Sequence, residues 1–181
     1  MITVGIAGVA RAGKTTTAQY IKERSIRFAI ESFAAPLKKA AKIIYPQIPD
    51  EDWANENKDK VNPTVDMSPR YILQRLGTEV GRQVHQETWT MNMQSRVDFN
   101  AKLYYNTIID DCRFPNELDV CDYLIYMERP SVAPVLQHES ESHVDELRRN
   151  ADWVVNNNSS LDELYITLNE LVEWLDEKSG N

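Results

Sequence analysis

The chain has 181 residues, a net charge of −8, 42% hydrophobic and 27% charged residues. That length supports one domain with a proper core, and the composition is ordinary for a soluble protein. The negative charge argues against a general nucleic-acid-binding surface, and no apolar run approaches the ~20 residues of a membrane span.

In chain order, "ITVGIA" at 2–7 is short, apolar and β-branched, and reads as a buried strand. A first segment that is itself a core strand does not read as a signal peptide. "GVARAGKTTT" follows, and Gly8, Gly13, Lys14 and Thr15 satisfy G-x-x-x-x-G-K-[ST], the loop that wraps phosphates. Glycines let its backbone bring N–H groups against an anion, and the helix read over 14–24 adds the positive end of its dipole. In that reading Gly8, Ala10, Ala12, Gly13, Lys14, Thr15 and Thr16 line the nucleotide. Lys14 reaches the β- and γ-phosphates of ATP, and the Thr15 hydroxyl ligates Mg²⁺.

"RFAIESF" at 27–33 reads as a second strand, and "APLKKAAKIIY" as a helix with Pro36 near its first turn. Residues 46–67 are polar, carry three prolines and lack periodicity, so they read as a mobile excursion. "SPRYILQRLGTEVGRQVHQ" reads as one helix with Ser68 as N-cap and Pro69 at its first position. "WTMNMQSRVDFNAKL" reads as another helix, then "YNTIIDD" at 105–111 and "DYLIYME" at 122–128 as strands. "ADWVVNN" at 151–157 reads as the last strand and "SLDELYITLNELVEWLDEK" as an amphipathic helix capped by Ser160. The alternation predicts an α/β fold with a parallel five-stranded sheet covered on both faces, with ligands at the carboxyl ends of the strands. The two cysteines, Cys112 and Cys121, lack metal-ligand spacing and fit a reduced, cytoplasmic setting.

A phosphate loop alone does not separate kinases from switches or motors. No N/T-K-x-D guanine motif is present, and there is little room for a motor's second domain. "GVARAGKTT", "SFAAPLK" at 32–38, "SPRYILQRLGTEVGR" at 68–82, Trp89, "IIDDCRFPNE" at 108–117, "RP" at 129–130, "HESES" at 138–142 and "ADWVVNNNSSLDEL" at 151–164 run in order over nearly the whole chain. Together they resemble the deoxynucleoside monophosphate kinases of bacteriophages. "ESES" and "ADWVVNN" are also similar to animal phosphomevalonate kinases. The resemblance implies a P-loop, nucleoside-monophosphate-kinase-like three-layer α/β/α domain over 1–181. Its core would be about 1–45, 103–128 and 151–181, its acceptor-binding helical region about 46–102 and its lid about 129–150. The implied reaction is ATP + dNMP → ADP + dNDP, supplying precursors for phage DNA. The alternatives are a kinase of the phosphomevalonate type and a non-catalytic nucleotide- or nucleic-acid-binding module.

Phosphoryl transfer needs two anions held in line and the charge on the moving group neutralised. Arg11, inside the loop, is a candidate for the γ-phosphate or the acceptor phosphate. Asp110 and Asp111 end a strand at the expected ligand edge, where a carboxylate suits the Mg²⁺ shell. The resemblance favours Asp111, leaving Asp110 to cap a turn. Arg113 suits a phosphate or an ion pair with Glu117. The resemblance assigns Arg70 to the acceptor phosphate, Gln74 to the base, and Thr78 and Glu79 to the sugar or base. Phe33 fits either stacking on the acceptor base or the core, and Lys38 a phosphate. The chain departs from that family at Ala35, where an acid is common. Trp89 fits a ligand platform or core packing. Arg129, with Arg148 and Arg149, is a lid candidate, and His138 and Glu141 fall in the same segment as acceptor contacts. Asn156, beside Asn157, stands where relatives of this fold hold adenine. The expected partners are small molecules, with no membrane and no stable nucleic-acid binding. The C-terminal helix and the stretch 89–93 fit internal packing or a homodimer.

Overall fold

The computed structural model describes residues 1–25, 27–129 and 143–180. They form two compact units, one of residues 1–32 and 92–181 and one of residues 33–91.

The first unit carries a five-stranded sheet in the order β2-β3-β1-β4-β5, with every pairing parallel. Its strands are β1 (Thr3–Ala7), β2 (Phe28–Glu31), β3 (Asn106–Cys112), β4 (Tyr123–Glu128) and β5 (Trp153–Asn156). Parallel neighbours require crossovers, and α1 (Lys14–Arg24) supplies the first. β1 is buried at every position, so both its faces are covered, as its unbroken apolar run implies. Val4, Ile6, Ile108, Ile125, Met127 and Val155 from the strands meet Ala18 and Ile21 of α1 in one core. The last helix of the chain, α7 (Leu161–Ser179), closes that core with Leu164, Leu168, Leu171, Val172 and Leu175 at helical spacing. It starts on a capping box in which Ser160 accepts from the Glu163 amide and Glu163 accepts from the Ser160 amide. Leaving β1 the chain runs toward one edge of the sheet, and leaving β4 toward the other. Such a switch opens a crevice at the carboxyl ends of the strands.

The second unit begins with α2 (Ala34–Ile44), as its sequence predicts. Residues 46–67 differ from the expected loose excursion. They form single-turn helices at Asp50–Trp53 and Asn55–Asp59 and a bridge between Asn62 and Met67. The physical reason is Trp53, which is 2% exposed and packs with Ala41, Ile48 and Ile72. One buried indole anchors a polar segment that has no periodicity to betray it. Ser68 caps α3 (Pro69–Gln74), accepting from the Tyr71 amide at 3.2 Å. Residues 69–84 form the single helical run expected, but its middle is not α-helical. The chain widens into a π-helical turn at Arg75–Gly81, resumes as α4 (Arg82–Val84), and restarts as α5 (Thr88–Lys102). α6 (Val144–Arg149) lies in the first unit before β5. Among the described residues, no helix is long and apolar enough to cross a membrane.

Leu171 has no exposed surface and sits at the centre of the α7 face. Leu171→Ala is expected to cost about 2–5 kcal/mol in urea unfolding followed by circular dichroism. A loss below ~1 kcal/mol would show that α7 is not integral to this core.

Candidate active site

The loop between β1 and α1 turns its carbonyls toward the protein. Lys14 Nζ donates to the carbonyls of Gly8 (2.7 Å) and Val9 (2.8 Å). Arg129 Nη1 donates to Arg11 O at 3.2 Å, Asn157 Nδ2 to Ala12 O at 2.9 Å, and the Thr17 amide to Gly13 O at 2.9 Å. Arg11 holds a left-handed conformation, φ 66°. A non-glycine residue there is an uncommon, strained arrangement of the kind found at ligand sites. Gly13, the N-cap of α1, has φ 103°, and a Cβ on it would lie 2.6 Å from Asn157 Nδ2. No side chain caps the helix and no acid stands in its first turn, so its leading amides face the crevice with the dipole's positive end. Ala12 is buried, Ala10 is half-buried, and Thr15 and Thr16 are exposed.

Thr15 Oγ1 donates to Asp110 Oδ2 at 2.9 Å, whereas Asp111 Oδ2 accepts from Ser32 Oγ at 2.7 Å. The carboxylate beside the loop threonine is therefore Asp110, the neighbour of the residue that the family resemblance favours. The cause lies in the sheet. Gly5 pairs with Ile109 but Ala7 pairs with Cys112, so β3 carries one extra residue across Asp110 and Asp111. Such a slip breaks the strict alternation of side chains and re-aims them.

Beyond β3, the buried Glu117 carboxylate accepts from the amides of Arg113 (2.7 Å) and Phe114 (3.1 Å). It fixes the backbone on which Arg113, half-buried, is carried. Sequence reasoning weighed Glu117 only as an ion-pair partner. The signal for its capping role is a proline opening the helical turn with an acid two residues later. Beneath this loop lie Cys112 and Cys121, both close against Gly5. The hydrogen bond to Cys121, followed by burial, pushes the Cys112 thiol well above its ordinary value.

At the far side, the Asn157 amide donates to Glu128 O at 2.7 Å while its side chain holds the phosphate loop. Asn156 is exposed, and its Oδ1 accepts from the Asn158 amide at 3.1 Å. Arg148 pairs with Glu128 at 3.0 Å, and Arg149 Nε donates to the Asp145 carbonyl. Lys14, Thr15, Asp110, Arg129 and Asn157 thus meet at one sheet edge. His138 and Glu141 lie outside the described residues.

The second unit holds the remaining candidates. Arg70 makes a two-pronged pair with Asp59, one prong at 3.0 Å, and Arg75 pairs with Glu79. Gln74 and Thr78 are half-buried, and Phe33 is 7% exposed at the head of α2. Lys38 is exposed beside a cavity of about 480 Å³ that Lys39, Lys42 and Trp53 also line. The Trp89 indole N–H donates to Gly77 O at 2.8 Å.

A profile of the deoxynucleotide monophosphate kinase family matches residues 47–168. The chain belongs to that family. It is a nucleotide kinase, a transferase that takes ATP as phosphate donor. A protein of Acanthamoeba polyphaga mimivirus named "Putative deoxynucleotide monophosphate kinase" is 30% identical to this kinase, over 91% of this chain and 93% of its own. Among solved structures, dephospho-CoA kinase from Campylobacter jejuni superposes with a TM-score of 0.58 at 12% identity, covering 97% and 98% of the two chains. TT1252 from Thermus thermophilus gives 0.54 at 15%, covering 96% and 97%. At these identities the likeness is one of fold, and the kinase shares the P-loop fold expected of it.

Two outcomes follow from the geometry. Gly13→Ala places a Cβ against Asn157 in a left-handed backbone, so ATP affinity should fall about tenfold or more, measured by calorimetry. Unchanged affinity would contradict the role given to that close approach. For Cys112, the folded value lies above the unfolded one. Its stabilisation is complete below the unfolded thiol value, ~8.5, and is lost as pH rises through the folded value. Urea midpoints taken from pH 7 to 10 should fall less steeply in Cys112→Ala than in wild type. Equal slopes would contradict the assignment.

Proposed function

We propose that this kinase transfers the γ-phosphoryl group of ATP to a deoxynucleoside 5′-monophosphate, yielding ADP and the diphosphate. One observation carries the reading. The Thr15 hydroxyl rests on the Asp110 carboxylate at the mouth of the phosphate loop, in a chain that belongs to this family. A phosphate oxygen of the acceptor attacks the γ-phosphorus as the bond to the β,γ-bridging oxygen breaks. No general base is required, because the acceptor phosphate is already deprotonated near neutral pH. Catalysis is then positioning and charge neutralisation.

In this reading amides of the loop and the first turn of α1, among Gly8, Ala10 and 13–16, hold the triphosphate beside Ala12, whose own amide donates to Val9 O, and Lys14 exchanges two carbonyls for β- and γ-phosphate oxygens. Thr15 and Asp110 would hold Mg²⁺, since a hydroxyl and a carboxylate are the oxygen donors a hard cation takes, and the ion would neutralise the same oxygens. Asp111, held by Ser32, keeps the end of β2 against β3. Arg11, Arg113 and Arg129 supply positive charge to the transferring group. Asn157 sets the loop, with Asn156 beside the donor's base. The helical region over about 46–102, with Phe33 and Lys38 ahead of it, would supply most of the acceptor contacts. Arg70 takes the phosphate with the forked geometry it already presents to Asp59, Lys38 adds charge, Gln74, Thr78 and Glu79 take the base and sugar, and Phe33 packs behind them. His138 and Glu141, which the resemblance places in a lid over about 129–150, lie outside the described residues. The mimivirus origin of one relative fits a viral setting; supply of DNA precursors, in a phage in particular, is part of the proposal.

The test is a panel of ribo- and deoxynucleoside monophosphates with ATP, scored for diphosphate product. At least one deoxynucleotide should be turned over in preference to its ribose counterpart. Lys14→Ala should lower turnover roughly 10²–10³-fold. Asp110→Asn should cost roughly 10²-fold and raise the Mg²⁺ requirement, with Asp111→Asn milder. Product from no nucleoside monophosphate would sink the reading, and a larger loss at Asp111 would move the metal ligand back to that residue.

A further inference from the structure

The widened turn at Arg75–Gly81 sits in the middle of the proposed acceptor segment, and it has an identifiable cause. Thr88 and Trp89 fold back over the turn after His85 breaks the helix. Trp89 Nε1 donates to Gly77 O at 2.8 Å, and the Thr88 hydroxyl, with one proton to give, lies 2.9 Å from Gly81 O and 2.7 Å from His85 O. Side-chain donors inserted into the carbonyl ladder open a helix locally, and π-turns often mark functional sites. Gly81 makes the approach feasible, because a Cβ there would lie 2.6 Å from Trp89 Cζ2.

The consequence is a change of face. In a regular α-helix, at 100° per residue, Glu79 would stand about 140° around from Gln74, on the side of Arg75 and Arg82. A turn bonded i to i+5 takes nearly one more residue, about 80° each, which brings Glu79 to within roughly 50° of Gln74. Thr78 then falls about as far on the other side. Gln74, Thr78 and Glu79 are half-buried, as is Arg82, whereas Val80 and Arg75 are exposed; Glu79 pairs with Arg75.

We propose that Trp89 is a positioning residue. It holds the π-turn open, so that Gln74, Thr78 and Glu79 share one face toward the acceptor nucleoside. It spends its indole N–H on the backbone rather than serving as a platform for the base. This rests on the acceptor role proposed above for those three residues.

The experiment compares Trp89→Phe, which keeps a ring but removes the donor, with Gly81→Ala, which pushes the ring away. Both are read by KM for the preferred deoxynucleotide, KM for ATP and amide hydrogen exchange over 75–82. Expected are a rise of about tenfold or more in acceptor KM, an ATP KM within about twofold of wild type, and faster exchange in the segment. If Trp89→Phe does not fold, Gly81→Ala decides by the same readouts. Wild-type acceptor KM in both variants, unchanged exchange, or equal rises in the two KM values would overturn the inference while leaving the kinase reading intact. A wild-type enzyme that phosphorylates no nucleoside monophosphate would remove the acceptor reading, and this inference with it.

Discussion

A backbone that offers its amides to an anion must dispose of the carbonyls that alternate with them. In the loop after β1 the carbonyls of Gly8, Val9, Arg11, Ala12 and Gly13 each meet a donor from the protein. The donors come from separate places: Lys14 in the loop's own helix, Arg129 after β4, Asn157 after β5. Apart from the Ala12 amide, which donates to Val9 O at 3.2 Å, a loop held on that side presents its N–H groups on the other, beside the leading turn of α1. The sheet order makes this arrangement feasible, since β1 lies between β3 and β4 with β5 beyond, and the carboxyl ends of β1, β3, β4 and β5 supply the loop, the acids, Arg129 and Asn157. A chain with a net charge of −8 thereby gathers cations at one edge of its sheet.

Lys14 illustrates how the same constraint prepares for chemistry. Its ammonium is buried, and burial of a charge is costly unless it is well hydrogen-bonded. Two loop carbonyls meet that need, and phosphate oxygens would meet it better because they are charged. The lysine is therefore placed within the loop in advance, and in the proposed role nucleotide binding would exchange partners rather than order a free side chain.

The strands and the phosphate loop were legible because their signals are local. An apolar β-branched run, a glycine pattern and a helical stripe each declare themselves within a dozen residues, and Ser68 and Ser160 mark helix starts by chemistry alone. What was not legible depends on partners distant in sequence. The choice between Asp110 and Asp111 turns on a one-residue slip against β1, a hundred positions away. The π-turn after Gln74 meets the indole N–H of a residue twelve positions beyond Gly77. Trp53 organises a segment whose polarity reads as loop. Asn156 and Asn157 look equivalent in sequence, and only the end of the β4–β5 pairing sends the second toward the phosphate loop.

The proposed chemistry depends on the amides after β1 seating the donor triphosphate. Amide chemical shifts, followed while Mg²⁺ and ATP are titrated into labelled protein, test it directly. The largest perturbations should fall on residues 10–16, with smaller ones at Asp110 and Asn157. Saturable ATP binding that leaves those amides unmoved, with the main shifts elsewhere, would contradict it.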